Sequence, residues 1–203
     1  MPIAKKRITT IYPRDVRALS SLARCGYVTR EQLGQFLRAK RIEGYVKDGL
    51  VEKVHHSRPG NRFNMDTDCY RLTRRGRDFC RKELSLQSLY NAQNPGHDLA
   101  LSERYFSLSA SERESWRTEG QSRSYIEHVI SEMRQQGEEE RAKLLWESLQ
   151  DNKLSMPDAV YTTDSGVVVA LEVITVHYGH EEIVAKETAA QLIGADKIEF
   201  VRA

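Results

Sequence analysis

The sequence predicts an α+β protein of two domains, and three observations lead to this prediction. The first half contains three short helical patterns followed by two alternating, strand-like runs. The second half contains longer helical patterns and two further strand-like runs joined by a turn. Residues 1–84 hold 20 Lys and Arg against 9 Asp and Glu, whereas the remaining residues carry a net charge of −9. We therefore expect a basic domain over 1–86 and a small αβ domain over 87–203.

The composition restricts the class of protein. No apolar run approaches the ~20 residues that cross a bilayer, so we expect no membrane partner. The first residues, MPIAKKRITT, lack the apolar core of a secretion signal. The three cysteines, Cys25, Cys69 and Cys80, form no C-x-x-C pair and are typical of reduced thiols. A cytoplasmic protein is the expectation.

Three helices are predicted near the start of the chain. The first covers 13–24 and begins with a proline, which suits the first turn of a helix. The second follows Thr29, an N-cap residue whose capping-box partner is Gln32. The third covers about 38–48 and ends at Gly49.

Two strands and a fourth helix follow these three. Residues 51–55 alternate as a strand, residues 69–73 (CYRLT) form the return strand, and a basic helix covers 74–84. This layout resembles the winged helix-turn-helix domains of bacterial regulators and plasmid proteins, mainly in GLVEKV and YRLTRRG. The resemblance implies binding of double-stranded DNA, although some winged helices bind protein or RNA instead.

Eight basic residues are the predicted DNA contacts. Arg suits guanine edges and Lys mostly neutralises phosphate, whereas the alternative is that these are ordinary solvated charges. They lie on the third helix, on the hairpin between the two strands, and at the start of the fourth helix: Arg38, Lys40, Arg41, Lys47, Arg58, Arg62, Arg74 and Arg75.

Two carboxylates are expected to converge in the second domain. DAVY and VVVALEVI are predicted strands, and TTDSG between them is a predicted turn. Asp158 precedes the first strand, and Glu172 lies in the second. Paired carboxylates suit Mg²⁺ or Mn²⁺, which could activate water against a phosphodiester. The alternative is an ordinary αβ domain with surface carboxylates.

The same segment resembles the core of the PD-(D/E)XK nuclease fold, through Pro157-Asp158 and the run from Glu172 to Thr175. The resemblance implies metal ligands at Asp158 and Glu172, and a further acid on a preceding helix. Glu103 is the candidate for that acid, with Asp98 second. Thr175 stands where the family has its catalytic Lys. Lys186 on the following helix is the predicted replacement, with His177 and His180 as other possibilities.

The order of these motifs, with H-D-L-A at 97–100, also resembles the replication-relaxation family of mobile genetic elements. That resemblance implies a DNA-binding accessory protein of a plasmid, phage or integrative element, acting in replication, transfer or regulation. Two alternatives stay open: an active Mg²⁺-dependent DNA endonuclease, and a protein-interaction or anti-defence factor. Host or element-encoded replication or transfer proteins are possible partners. Winged helices often pair on two-fold sites, so a homodimer is expected.

Overall fold

A computed structural model describes residues 8–58, 65–151, 153–174 and 179–203. The fold is α+β, with a three-stranded and a four-stranded sheet. The chain divides into two compact units, Met1–Ser107 and Leu108–Ala203. None of the described helices has the length and apolar character that crossing a membrane requires.

Three helices and a short strand open the first unit, close to the predicted positions: α1 (Pro13–Cys25), β1 (Val28–Thr29), α2 (Arg30–Gly34) and α3 (Ala39–Lys47). The capping box at Thr29 and Gln32 is confirmed, with both hydrogen bonds present. Helix α3 is slightly shorter than predicted, because Arg38 is its N-cap and Asp48 its C-cap. The two-residue strand β1 is too short to carry a periodic pattern, and the sequence did not indicate it.

The sheet of this unit is antiparallel in the order β1-β3-β2, where β2 is Val51–Arg58 and β3 is Met65–Leu72. Both hairpin strands extend further towards the connecting turn than predicted. Val28 pairs with Tyr70, and Val51 pairs with Leu72. Helix α4 (Arg74–Glu83) follows β3 directly, capped by the Thr73 hydroxyl, which accepts from the Gly76 amide at 3.0 Å.

Helix α5 (Pro95–Ser107) completes the first unit. The sequence placed 87–107 in the second domain, whereas α5 packs on α1 and on the sheet strands β1 and β2. The buried carboxylate of Asp98 accepts from Tyr90 Oη and the Gln93 amide, both at 3.1 Å, and the Tyr90 amide donates to the Ala23 carbonyl of α1 at 2.8 Å. Gly26 lies against the same carboxylate: a Cβ there would come within 2.2 Å of Asp98 Oδ2.

The second unit opens with four elements: α6 (Ala110–Ser115), β4 (Arg117–Thr118), α7 (Glu119–Gln135) and α8 (Glu139–Gln150). Four more follow: β5 (Ala159–Thr162), β6 (Val168–Ile174), α9 (His180–Leu192) and β7 (Lys197–Arg202). Helices α7 and α8 are separated at Gly137, whose φ of +83° favours glycine.

The sheet of the second unit has the order β4-β5-β6-β7. The first three strands are antiparallel neighbours, and β7 runs parallel to β6 after the α9 crossover. Because Val160 is opposite Ala170, the alternation puts Val160, Val168 and Glu172 on one face of the sheet. Val160 and Val168 pack in a core with residues of α7, α8 and α9. Glu172 therefore points to the side of the sheet that the helices cover.

Candidate functional sites

Two groups of charged side chains stand out, one in each unit. The first is an exposed set of cations on α3 and α4, which we name the basic surface. Its members are Arg38, Lys40, Lys47, Arg74 and Arg75. All five are among the predicted DNA contacts.

The amphipathic pattern of α3 positions the first three of these cations. Ile42 and Tyr45 are buried at 4% and 1% exposure and fix the inner face of the helix. Lys40 and Lys47 therefore point outwards, and the side chain of Lys47 is 56% exposed. Arg38, at the N-cap, is exposed as well.

Arg41 differs from the other predicted contacts on α3, because its guanidinium holds the fold together. Nε and Nη2 donate to the two carboxylate oxygens of Asp15 at 2.9 and 2.8 Å, and Nη2 also donates to the Thr10 carbonyl. Asp15 is fully buried in α1. Burial opposes ionisation of Asp15, but the hydrogen bonds from Arg41 and from the Tyr12 amide outweigh it and lower the carboxyl pKa. Arg41 therefore joins α3 to α1. This ion pair gives Arg41 a structural role that does not require contact with DNA.

The start of α4 lies beside the end of α3. The Thr73 hydroxyl donates to the Gly49 carbonyl at 2.7 Å, which joins the N-cap of α4 to the turn after α3. Arg74 and Arg75 follow at once, and both are exposed. Neither forms an ion pair with any described residue. Lys47, Arg74 and Arg75 therefore lie near one junction of the two helices, whereas Arg38 and Lys40 lie at the other end of α3.

The described part of the β2–β3 hairpin is of mixed charge. Lys53 Nζ lies 2.6 Å from Asp68 Oδ2, and His55 lies within 3.8 Å of both Asp66 and Asp68. Arg58 ends β2, where it pairs with Met65, and Arg62 lies outside the described residues. The predicted hairpin contacts with DNA stay predictions.

The second group is a buried cluster of Asp158, Glu172 and Lys186, named here the acidic cluster. Asp158 immediately precedes β5 and lies opposite Glu172 of β6. The Asp158 amide donates to Glu172 Oε2 at 3.2 Å, and Asp158 Oδ2 accepts from the amide of Val173, the next residue of β6, at 2.8 Å. Each carboxylate is thus held by a main-chain amide of the neighbouring strand segment, and the predicted role of the two as metal ligands stays a prediction.

Lys186 enters this cluster from α9. Its Nζ lies 2.8 Å from Glu172 Oε1 and donates to the Met156 carbonyl at 2.7 Å. Asp158, Glu172 and Lys186 are 8%, 1% and 8% exposed. A buried charge is stable only when it is paired and hydrogen-bonded, and Lys186 supplies this pairing for Glu172. The catalytic role predicted for Lys186 stays a prediction.

The donor set has features that a small hard cation accepts. Mg²⁺ is commonly held by one or two carboxylates, with waters and substrate phosphates completing its shell. Asp158 and Glu172 provide two carboxylates at one end of a hairpin. Among the described residues, no third Asp, Glu, His or Cys joins them in a group that could hold a metal ion.

Glu103 and Asp98, the candidates for a third acid, both belong to α5 of the first unit. Glu103 is exposed, whereas Asp98 is fully buried and contacts Tyr90, Gln93 and His97. The contacts of Asp98 give the His-Asp pair at 97–98 a structural role in the first unit. Thr175 and His177 lie outside the described residues, and His180 begins α9 with an exposed side chain.

Sequence reasoning missed the main-chain partners of the acidic cluster. The Met156 carbonyl binds Lys186, and the Asp158 carbonyl accepts from the Glu119 amide at 3.1 Å, at the start of α7. Main-chain groups are common to all residues, so no sequence motif indicated these contacts.

Comparison with protein-family models, curated proteins and solved structures finds no match to this chain.

Proposed function

We propose that the first unit is a winged helix-turn-helix domain and that the chain is a DNA-binding accessory protein of a mobile genetic element. The order of elements supports the first part. Helices α1 to α3 precede the β2–β3 hairpin, and β1 pairs with the far strand of that hairpin to give the order β1-β3-β2. In such a domain α3 enters the major groove and the hairpin lies along the backbone or minor groove.

The basic surface is the observation that carries the proposal. A helix N-terminus favours acidic side chains, because the helix dipole is positive there. Helices α3 and α4 have no acidic residue in their first turns. They begin instead with Arg38 and Lys40, and with Arg74 and Arg75. A cation at the positive end of a helix is disfavoured in the free protein, and phosphate groups of a bound duplex would neutralise it.

The accessory role rests on the resemblance of the motifs to the replication-relaxation family. In this role the first unit selects a site on the element, such as an origin or a promoter. The second unit then contributes to assembly on that site or to recognition of DNA shape. A homodimer would place two copies of α3 on a two-fold related site.

The test is a binding titration of the full chain with fluorescent plasmid fragments, followed by anisotropy. We expect binding that the double variant R38A/K40A weakens by tenfold or more at 0.1 M salt. The matched control is Lys143→Ala on α8, whose side chain is 76% exposed in the second unit. That variant should bind like the wild type. Absence of binding, or equal losses in the basic-surface variant and in the control, would refute the proposal.

The second candidate function is a Mg²⁺-dependent DNA endonuclease, and the position of Lys186 favours it. Asp158 and Glu172 would hold the cation, which supplies Lewis-acid chemistry and lowers the pKa of a bound water. The Lys186 ammonium contacts the carboxylate of Glu172, which is also one of the two proposed ligands of the cation. It therefore brings a positive charge to the cluster. It would offset charge that develops on a phosphodiester.

This second candidate predicts nicking or cleavage of plasmid DNA with Mg²⁺ or Mn²⁺, lost in D158A and in E172A. The control is Asp151→Ala, which removes an exposed carboxylate of the same unit. Tryptophan fluorescence would verify that each variant is folded. Cleavage that persists equally in D158A, E172A and D151A would exclude the acidic cluster as its source.

A further inference from the structure

Glu43 is an anomaly on the outer face of α3. It lies between Lys40 and Lys47 at helical spacings of three and four residues, so the three side chains form one stripe. The opposite face of the helix carries the buried Ile42 and Tyr45. A carboxylate therefore stands at the centre of a surface whose flanks are cationic.

The fold makes little use of this carboxylate. Glu43 is 61% exposed, and its ion pair with Lys47 has an Oε2–Nζ distance of 3.9 Å. This separation is long for an ion pair, and such exposed pairs contribute little to stability. No other ion pair of Glu43 is found among the described residues.

On a surface that only neutralised phosphate, a central carboxylate would be repelled by its ligand. The floor of the major groove instead offers hydrogen-bond donors that a carboxylate can bind. It presents hydrogen-bond donors only as the amino groups of cytosine and adenine, and Glu accepts from cytosine N4, whereas bidentate amide side chains suit adenine. The cations beside Glu43 match the guanine O6 and N7 acceptors and the flanking phosphates.

We propose that Glu43 is a specificity-determining residue that accepts a hydrogen bond from the N4 amino group of a cytosine in the major groove. This inference rests on the proposed DNA-binding function. Lys40 and Lys47 hold α3 against the backbone on either side, and Glu43 selects the base pair between them. A guanine or a thymine at that position would be disfavoured, because it offers no donor and leaves the carboxylate facing an acceptor.

The experiment is selection of binding sites from a pool of random duplexes by the full chain, with sequencing of the bound fraction. The wild type should enrich a motif that contains an invariant cytosine. Glu43→Ala should lose the preference at that one position by about tenfold or more and keep the rest of the motif. Glu140→Ala on α8 makes the same change of net charge at an exposed site of the second unit and should retain the full motif.

A second measurement uses the selected duplex with N4-methylcytosine at the invariant position, which places a methyl group where Glu43 would accept. Binding by the wild type should weaken by a similar factor, and binding by E43A should be unaffected. An E43A motif identical to that of the wild type would overturn the inference. Salt-sensitive binding without sequence preference would also overturn it, yet leave the proposed function standing. Absence of DNA binding would overturn both.

Discussion

Replacement of Lys186 by Met tests whether the acidic cluster is a buried, paired site. Met keeps most of the side-chain length but removes the ammonium that lies 2.8 Å from Glu172 Oε1. Glu172 is 1% exposed, so the variant leaves a buried carboxylate without its cation. Breaking a buried pair in this way costs about 3–5 kcal/mol, a large share of the ~5–15 kcal/mol that stabilises a typical domain.

The assay is urea unfolding followed by tryptophan fluorescence. Both tryptophans, Trp116 and Trp146, belong to the second unit, so the signal reports on that unit. The control Lys153→Met removes an ammonium whose side chain is 72% exposed and should cost less than about 1 kcal/mol. The double variant E172Q/K186M should recover part of the loss, because a neutral amide is buried at lower cost than a carboxylate. Equal unfolding free energies for K186M and K153M would refute the buried pair.

Three further predictions concern the first unit. Asp15→Asn should lower the unfolding free energy of this unit by about 1.5–3 kcal/mol at pH 7, measured by hydrogen exchange in α1. Because the native pKa of Asp15 lies below 3.8, the difference between the variant and the wild type should shrink as the pH falls below about 4. Gly76→Ala should cost about 1–3 kcal/mol by thermal unfolding, because its Cβ would meet the Leu50 carbonyl oxygen at 1.9 Å; Gly34→Ala, with nothing within 4 Å, should not be destabilising. Burial raises the pKa of Cys80 to about 12, that of Cys69 to about 11 and that of Cys25 well above its ordinary value. Native protein should therefore not react with a thiol reagent before it unfolds.

The secondary structure was largely predictable, since its signals are local. Pro13, Thr29 and Gly49 mark helix ends whatever the rest of the chain does, and the observed bounds of α1, α2 and α3 lie close to them. Strands β5 and β6 follow in the same way from their apolar runs and from the turn residues between them. Strands β1 and β4, of two residues each, exist through their pairing with β3 and β5, which local sequence does not encode.

The candidate sites were predictable in part. The proximity of Asp158 and Glu172 was expected from their positions on the two predicted strands, and Lys186 was expected on the following helix, where its ammonium contacts Glu172. The catalytic and metal-binding roles of the three residues stay predictions. The role of Arg41 did not follow, because a cation on α3 looks the same in sequence whether it faces solvent or Asp15, 26 residues away. The placement of α5 was missed for the same reason: Asp98 makes tertiary contacts around Gly26 that no spacing reveals.

The most direct test of the central claim is the salt dependence of DNA binding. Log affinity should fall linearly with log salt, with a slope of about −0.9 for each phosphate neutralised. If Arg38 and Lys40 each contact one phosphate, the slope for R38A/K40A should be shallower by about 2 than that of the wild type, while K143A should leave it unchanged. An affinity that does not depend on salt, or a slope that the basic-surface variant shares with the wild type, would contradict the account.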